Sequence, residues 1–272
     1  MCADKWSKHS VRGDGDRILK NFAEGEQEGA AREWEALQLL ARYAPGLAPL
    51  PLGIESGTDR TVIAMSRLEG SSLRGVRLNP EQVSSLAAAV DRMYRSVPRE
   101  VLEALELRPW HQAGVIQTIR KWTPAARKVL RGSAGEALEA GLRWLEASEF
   151  ANQRSPDVPP VFGPGDGNLA NYLWAGGQVK VVDFEDSGRS DRAFELAEIT
   201  EHVGSWVEHP LDVDLFLSHF ELSAAEASRL ADCRRLLSLT WLFLLIFDEA
   251  AEQKNPPGTV SRQAQRVMEL LG

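Results

Sequence analysis

Apolar side chains repeat at helical spacing over several long segments of the chain. In residues 27–43, Trp34, Leu37 and Leu40 recur every three or four positions, which predicts a helix with one buried face. Residues 45–51 contain three prolines, so this helix is expected to end before them. The same spacing predicts further helices over residues 80–96, 115–130, 134–146 and 229–251.

Shorter runs of apolar and β-branched residues predict strands. Residues 16–22 and 61–65 have this composition, and residues 179–182 form a third run that ends at Asp183. Residues 6–11 are expected to pair with residues 16–22 as a hairpin, because the Gly and Asp residues between them tolerate the backbone angles of a tight turn. A small strand-rich part followed by a large helical part predicts an α+β fold with two lobes.

Length and composition are those of a globular protein. The 272 residues suffice for one large domain or for two lobes around a cleft, and 43% hydrophobic and 26% charged residues are ordinary values. The longest apolar run, residues 236–247, is shorter than the roughly 20 residues that cross a bilayer, so no membrane contact is expected. Cys2 and Cys233 are too few for a disulfide framework or a metal site. Because residues 1–16 are polar, no secretory signal is expected, and the predicted location is cytoplasmic.

The net charge bears on which kinds of partner the protein can bind. A net charge of −8 argues against nucleic acid, because phosphate binding needs clustered Lys and Arg. An acidic surface attracts cationic substrates, but it serves solubility equally well and therefore selects no substrate. The sequence leaves the oligomeric state open.

The polar residues that suggest chemistry lie between Gly163 and Ala197. Asp166 and Asn171 have the spacing D-x-x-x-x-N, and Asp183 follows the apolar run 179–182. Phosphoryl transfer from ATP uses such a set: one carboxylate orients the attacking hydroxyl, while an Asn and a second carboxylate hold Mg²⁺. A polar turn would also explain Asp166 and Asn171. Asp183 fits that explanation less well, because a carboxylate that closes an apolar strand needs a cation or a hydrogen-bond donor.

In this order, the motifs resemble the aminoglycoside phosphotransferase family of small-molecule kinases. The family reads H-G-D-x-x-x-x-N, an apolar strand ending in I/V-D-F/W, and then G-D-R-x-x-D-L-A. This chain offers Pro-Gly-Asp at 164–166 with Asn171, Val-Asp-Phe at 182–184, and Ser-Asp-Arg-Ala-Phe-Glu-Leu-Ala at 190–197. The resemblance implies a protein-kinase-like fold with a nucleotide-binding lobe at residues 1–66. A helical lobe with the catalytic loop and substrate site would follow at residues 67–272.

The family resemblance also implies roles for single residues. Asp166 is expected to act as the catalytic base, and Asn171 and Asp183 are expected to hold Mg²⁺. Lys20 is expected to contact the phosphates of ATP, with Glu33 on the following helix holding the lysine in place. The backbone of Ser66 and Leu68 would meet the adenine edge. Asp191 and Arg192 resemble a structural pair that supports the loop.

The chain departs from the family pattern at two places. Pro164 replaces the usual His, which supports the loop and does not transfer phosphate; proline stiffens a loop by fixing φ. Only nineteen residues precede Lys20, which leaves room for one strand and a turn but little for a full glycine-rich loop. Either residues 1–7 form an abbreviated cover, or the start codon is annotated late. These departures keep a second hypothesis open, a catalytically silent kinase-like protein that binds a ligand or partner. An unrelated helical binding protein is a weaker third hypothesis.

The family resemblance implies that the acceptor is a small molecule with a hydroxyl group, either an aminoglycoside-like antibiotic or an amine-bearing metabolite. Neither ATP nor GTP is excluded as donor. Glu185 and Asp186 are expected to be solvated loop acids, and Trp206 and Trp241 to pack in the core. The histidines show no metal-ligand spacing, so surface or capping roles are expected for His9, His111, His202, His209 and His219. Acids that could line a pocket for an amine are Glu201, Glu208, Asp248, Glu249 and Glu252.

Overall fold

A computed structural model of the chain describes residues 9–57, 60–152, 158–249 and 255–272. Its first element is an antiparallel sheet with the strand order β1-β2-β4-β3. The strands are β1 (Ser10–Asp14), β2 (Arg17–Ala23), β3 (Pro51–Ser56) and β4 (Arg60–Ser66).

Alternation along the strands gives this sheet one buried face. Lys20 and Phe22 of β2 are buried, as are Ile63 and Met65 of β4, and Lys20 is paired with Ile63 in the register. Helix α1 (Gln27–Tyr43) covers this face with the side chains of Ala30, Glu33, Ala36, Leu37 and Leu40. Their spacing of three or four residues is that of one helical face, so Glu33 and Lys20 are buried on facing elements.

The predicted β1–β2 hairpin is confirmed within the described residues. It pairs Ser10 with Asn21 and Asp14 with Arg17, so the turn lies at Gly15 and Asp16. Gly15 has φ +59°, a conformation that glycine adopts without steric cost. Residues 6–8 of the predicted strand lie outside the described residues, as does the suggested cover at residues 1–7.

Two small sheets carry the loops of the second lobe. One has the order β5-β7-β8, and the other pairs β6 with β9. All of these pairs are antiparallel. The strands are β5 (Ser71–Ser72), β6 (Pro160–Gly163), β7 (Tyr172–Ala175), β8 (Gln178–Val181) and β9 (Gly188–Asp191).

Helices make up most of this lobe. Helix α6 packs on α8, and α8 in turn packs on α4, α5 and α9. Gly141 allows the close approach of α5 to α8, since a Cβ there would lie 2.7 Å from Leu239. The helices are α2 (Pro80–Ser96), α3 (Arg99–Ala104), α4 (Gln112–Val129), α5 (Gly132–Ala147), α6 (Arg192–Glu201), α7 (Val213–Leu217), α8 (Ala224–Glu249) and α9 (Thr259–Leu271).

The apolar run at residues 236–247 lies inside α8, where Leu236, Leu239, Leu242 and Phe243 are fully buried. In the described part of the chain, no helix combines the length and the apolar content that a membrane span requires. Helix α8 begins five residues before the predicted helix at 229–251, and residues 250 and 251 of that prediction lie outside the described residues.

Candidate active site

Asp166 lies in the loop between β6 and β7, and both of its carboxylate oxygens are held. Oδ1 accepts a hydrogen bond from the Asn168 N–H at 2.9 Å, and Oδ2 accepts one from Asn171 Nδ2 at 3.0 Å. The side chain remains 37% exposed, so a substrate can reach it. Burial of the loop and the negative charges of Asp183 and Asp186 raise the pKa of Asp166 to about 6. The carboxylate is therefore fixed in orientation and has the basicity of a group that exchanges protons near neutral pH.

The loop is packed too tightly for side chains at its glycines. Gly165 has φ +89°, and a Cβ there would lie 2.0 Å from the Asp186 carbonyl oxygen. At Gly167 a Cβ would lie 2.1 Å from the Glu198 carbonyl oxygen on α6. The backbone around Asp166 is thus held between the segment after β8 and helix α6.

A buried arginine that the sequence analysis missed supports the same loop. Arg108 precedes α4 and is 1% exposed. Its Nη1 donates to Glu195 Oε1 at 2.8 Å, and its Nη2 donates to Glu198 Oε1 at 2.8 Å and to the Gly165 carbonyl at 2.5 Å. Burial and the nearby charges of Glu195 and Asp166 raise the pKa of Glu198 to about 7, although Arg108 opposes this rise. Glu195 lies at the position of the aspartate in the family's D-L-A motif. That motif was the sequence feature that could have pointed to a buried cation beside Glu195.

Lys20, Glu33 and Asp183 meet across the cleft between the lobes. Lys20 Nζ lies 2.9 Å from Glu33 Oε2 and 2.5 Å from Asp183 Oδ1. Glu33 Oε2 also accepts a hydrogen bond from the Phe184 N–H at 2.8 Å. Burial disfavours the charged amine, but the surrounding carboxylates outweigh burial and raise the pKa of Lys20, which keeps it protonated. The structure therefore brings together the lysine, the helix glutamate and the strand-end aspartate that the sequence singles out.

Asp183 has an unusual backbone. Its φ is +70°, and no other non-glycine residue among the described ones has a positive φ. Such a conformation costs on the order of 1–3 kcal/mol and persists where surrounding contacts impose it. Here two contacts hold the backbone at Asp183. Its side chain accepts from Lys20 Nζ, and the N–H of the next residue, Phe184, donates to Glu33.

Asn171 and Asp183 fit a magnesium ion that also binds phosphate. Asn171 uses Nδ2 in its bond to Asp166, which leaves Oδ1, an oxygen of the kind that Mg²⁺ prefers. Asp183 is 34% exposed, and its negative charge raises the pKa of Asp166. The two carboxylates thus place negative charge at the site where the cation would bind. In the described part of the chain, no cluster of three or more His, Cys, Asp or Glu could hold a metal by itself. The two side chains fit a cation whose other ligands are phosphate oxygens and water.

Glu185 is not the solvated loop acid that the sequence suggests. Its carboxylate lies 3.1 Å from Lys20 Nζ and contacts His9 Nε2. The pKa of Glu185 falls to about 2, because these cations outweigh the effect of burial. The His9 side chain is only 5% exposed, with Nδ1 3.2 Å from Glu26, so the expected surface role is wrong for it. The prediction failed because Glu185 meets partners that lie more than 150 residues earlier in the chain.

Ser66 and Leu68 lie where β4 leaves the sheet. The Ser66 N–H donates to the Leu50 carbonyl at 2.9 Å, and Ser66 Oγ accepts from the Leu50 N–H at 2.9 Å. A nucleotide base could therefore not use the Ser66 N–H without breaking the sheet. Their proposed contact to adenine stays a prediction.

Asp191 and Arg192 do not pair with each other. Asp191 caps α6 by accepting from the Phe194 N–H, and its Oδ2 lies 2.6 Å from Arg229 Nη2. Arg192 instead binds Glu226 at the start of α8. Both residues thus fix α6 against α8 and lie outside the cluster around Asp166.

Of the acids suggested for an amine pocket, the two whose side chains are described, Glu201 and Glu208, bind arginines. Glu201 is fully buried and binds Arg234 at 2.7 Å and Arg266 at 2.8 Å. Glu208 lies 3.5 Å from Arg74 and is 37% exposed. The sequence could not show this, because helical acids look alike whether they face solvent or a buried arginine. Trp206 is buried with Trp241 against it, as expected. The side chains of Asp248, Glu249 and Glu252 lie outside the described residues.

Comparison with known proteins places the chain in a family. The model of the Phosphotransferase enzyme family (APH) matches residues 6–229. No curated protein sequence matches the chain. Among solved structures, a thermostable mutant of the aminoglycoside phosphotransferase APH(4)-Ia aligns over 97% of this chain and 94% of its own, with 14% identity and a TM-score of 0.66.

Two further solved structures are similar to the chain. The amicoumacin kinase hAmiN, in complex with AMP-PNP, Ca²⁺ and Ami, has 14% identity and a TM-score of 0.65 over 97% of this chain and 87% of its own. The choline kinase LicA from Streptococcus pneumoniae has 16% identity and a TM-score of 0.61 over 97% and 89%. These likenesses confirm the kinase-like α+β fold expected from the sequence. Since the family model spans most of the chain, this protein belongs to the phosphotransferase enzyme family.

Proposed function

We propose that this protein is a small-molecule kinase that uses ATP and Mg²⁺ to phosphorylate a hydroxyl group. The observation that carries the proposal is the contact of Lys20 with both Glu33 and Asp183, beside a doubly held Asp166. Residues from both lobes meet there, and they are of the types that phosphoryl transfer uses: a lysine, a glutamate that holds it, and two aspartates. Family membership and the nucleotide analogue bound by the similar hAmiN kinase support the same reading.

Each side chain of the site has a distinct role in this proposal. Asp166 orients the acceptor hydroxyl and accepts its proton while the new oxygen–phosphorus bond forms and the bond to the departing ADP breaks. Lys20, kept charged by Glu33, contacts the phosphates. When bound, ATP supplies the phosphoryl group and Mg²⁺ neutralises its charge. The oxygens of Asn171 and Asp183 would hold that ion. The backbone of Ser66 and Leu68, apart from the Ser66 N–H that binds Leu50, would meet the base.

For the acceptor, we propose a chemical class and no single compound. Solved proteins of this fold include kinases of choline and of amicoumacin, and APH(4)-Ia has been solved in a ternary complex with AMP-PNP and hygromycin B. A hydroxyl-bearing antibiotic or an amine-bearing metabolite is therefore proposed here. Glu201 is bound to two arginines, so it offers no support for amine recognition. Neutral alcohols accordingly belong in the same acceptor screen.

The first test is calorimetry of ATP with and without Mg²⁺, followed by phosphate-transfer assays on the acceptor panel. We expect Mg²⁺-dependent binding by the wild type. Asp166→Asn should keep that binding and lower turnover roughly 10²–10⁴-fold, the usual contribution of a general base. Asp183→Asn should lose the Mg²⁺ dependence of binding. Asp214→Asn, which changes an exposed acid on α7, is the matched control and should behave as wild type.

The alternative, a silent kinase-like binding protein, predicts a different result. It allows a ligand to bind but no phosphate to be transferred, and it predicts equal behaviour of wild type and Asp166→Asn. Absence of both ATP and GTP binding would overturn the kinase proposal.

A further inference from the structure

His202 lies at the junction between α6 and the catalytic loop. It follows the last residue of α6 and begins the short 3₁₀ turn Val203–Ser205. Its Nδ1 accepts a hydrogen bond from the Gly204 N–H at 2.9 Å. The side chain is 8% exposed, and the ring meets Trp241 edge-on with centroids 4.4 Å apart. The ring is therefore fixed in place by a backbone donor on one side and an indole on the other.

These contacts determine which nitrogen of His202 carries the proton. Because Nδ1 acts as an acceptor, the proton of the neutral ring lies on Nε2. Burial and the charge of Arg74 lower the pKa of His202 to about 3, so the ring is neutral at any ordinary working pH. Nε2 lies 3.4 Å from Oδ1 of Asp166. An uncharged N–H donor thus stands beside the carboxylate that carries the proposed chemistry.

The turn that presents His202 is packed directly on the catalytic loop. A Cβ at Gly204 would lie 2.9 Å from Asn168 Oδ1 and 3.1 Å from His202 Nδ1. Asn168 in turn donates its N–H to Asp166 Oδ1, the same oxygen that faces His202. Pro164, two residues before Asp166, has no N–H to contribute. Oδ1 accordingly lies between the Asn168 N–H of the loop on one side and His202 Nε2, at the end of α6, on the other.

We propose that His202 is a positioning residue for Asp166, whose Nε2–H holds Oδ1 in the orientation needed to receive the acceptor proton. The inference rests on the proposed function, since it gives Asp166 the role of base. It also separates two roles of one ring: Nδ1 caps the 3₁₀ turn, and Nε2 serves the site. A neutral donor suits this task, because a cation at the same place would lower the basicity of the carboxylate.

Two substitutions separate these roles. Asn places an amide oxygen where Nδ1 lies, so His202→Asn keeps the acceptor for Gly204 and loses the donor to Asp166. Gln reaches further and places an amide N–H near Nε2, so His202→Gln keeps the donor. Exposed His219 provides the matched control, His219→Asn.

The assay is phosphate release from Mg²⁺-ATP with water as the acceptor, measured together with the thermal unfolding midpoint. We expect His202→Asn to lower kcat roughly 10- to 100-fold at an unchanged KM for ATP, because a catalytic group misplaced by about 1 Å can lose about 10²-fold in rate. His202→Gln should recover kcat to within about threefold of wild type, and His219→Asn should match wild type. If His202→Asn keeps wild-type kcat, or if both variants lose kcat and thermal stability equally, the inference is overturned.

A second readout does not depend on turnover. In ¹⁵N-histidine-labelled protein, His202 should show the Nε2–H tautomer, and its Nε2 signal should shift in Asp166→Asn. A ring protonated on Nδ1, or an unshifted signal, overturns the inference even if the enzyme is active. A protein that has this contact but binds neither ATP nor GTP overturns the proposed function alone.

Discussion

At the residue scale, the candidate site depends on a few polar groups whose partners are far away in sequence. Glu33 is 1% exposed and accepts from both Lys20 and the Phe184 N–H. Glu33→Gln keeps the shape and can still accept from Phe184, but it removes the charge that attracts the lysine. Lys20 would then be left to the carboxylates of Asp183 and Glu185.

We expect Glu33→Gln to weaken ATP binding roughly 10- to 100-fold while the fold is retained, because losing one charged contact of this kind typically costs on the order of 1.5–3 kcal/mol. Calorimetry with Mg²⁺-ATP measures the change, and circular dichroism checks the fold. Glu35→Gln, an exposed position on the same helix, serves as the control. Equal affinities of Glu33→Gln and wild type would contradict the role given to Glu33.

Sequence reasoning reached some residues of the site and missed others for a physical reason. Lys20, Asp166 and Asp183 were singled out because each stands at a recognisable place in a motif or strand. Arg108 was missed, since a single arginine before a helix carries no pattern, and its burial depends on carboxylates 87 and 90 residues later. Glu185 was misjudged for the same reason. The spacing of apolar residues along the chain indicates local helix or strand geometry. It does not show which distant side chains will pair.

At the element scale, hydrophobic spacing predicted α1, α2, α4, α5 and α8 with errors only at their ends, whereas α3, α6, α7 and α9 were not predicted as separate helices. The helix expected at residues 229–251 begins at Ala224, because Ser223 and Glu226 form a reciprocal cap. The Ser223 N–H donates to Glu226 Oε2 at 2.9 Å, and the Glu226 N–H donates to Ser223 Oγ at 3.2 Å. The S-x-x-E spacing of a capping box was present in the sequence and would have placed this start correctly.

Helix α6 is the element whose stability should respond most to pH. Glu198 on α6 has a pKa of about 7, above the ordinary value of 4.5. Between these values the folded protein binds a proton that the unfolded chain has released, so the free energy of unfolding falls as pH rises. Above pH 7 both states are ionised, and this contribution is fully lost.

Glu198→Gln should remove this dependence. Relative to wild type, we expect the variant to gain stability progressively from about pH 5 to pH 7, by up to roughly 3 kcal/mol, since one pKa unit corresponds to about 1.4 kcal/mol. Urea unfolding followed by tryptophan fluorescence at pH 5, 6, 7 and 8 measures the difference. Glu136→Gln, an exposed acid on α5, should give a flat difference. A flat difference for Glu198→Gln as well would show that its carboxyl ionises as in the unfolded chain.

At the scale of the whole molecule, the segment after β8 joins the two lobes. Asp183 contacts Lys20, Phe184 donates to Glu33, and the Glu185 carbonyl accepts from Arg32 Nε at 2.7 Å. The two lobes were predictable from the change from strands to helices. Their boundary at residue 66 stays a prediction, and β5, which pairs with β7 just beyond it, has only two residues and therefore no periodicity to detect.

The contacts of residues 183–185 with the first lobe lead to a prediction about unfolding. Because three consecutive residues of the helical lobe bind the first lobe at the proposed nucleotide site, Mg²⁺-ATP should stabilise both lobes as one unit. At a free ligand concentration of about 100 times Kd, binding adds roughly 2.7 kcal/mol, which raises the thermal midpoint of a chain of this size by roughly 5–10 °C. Differential scanning calorimetry should show a single transition that moves by this amount in wild type and in Asp214→Asn, but hardly moves in Asp183→Asn. Two transitions of which only one responds to the nucleotide would mean that the lobes unfold separately, and that the contacts of residues 183–185 are too weak to couple them.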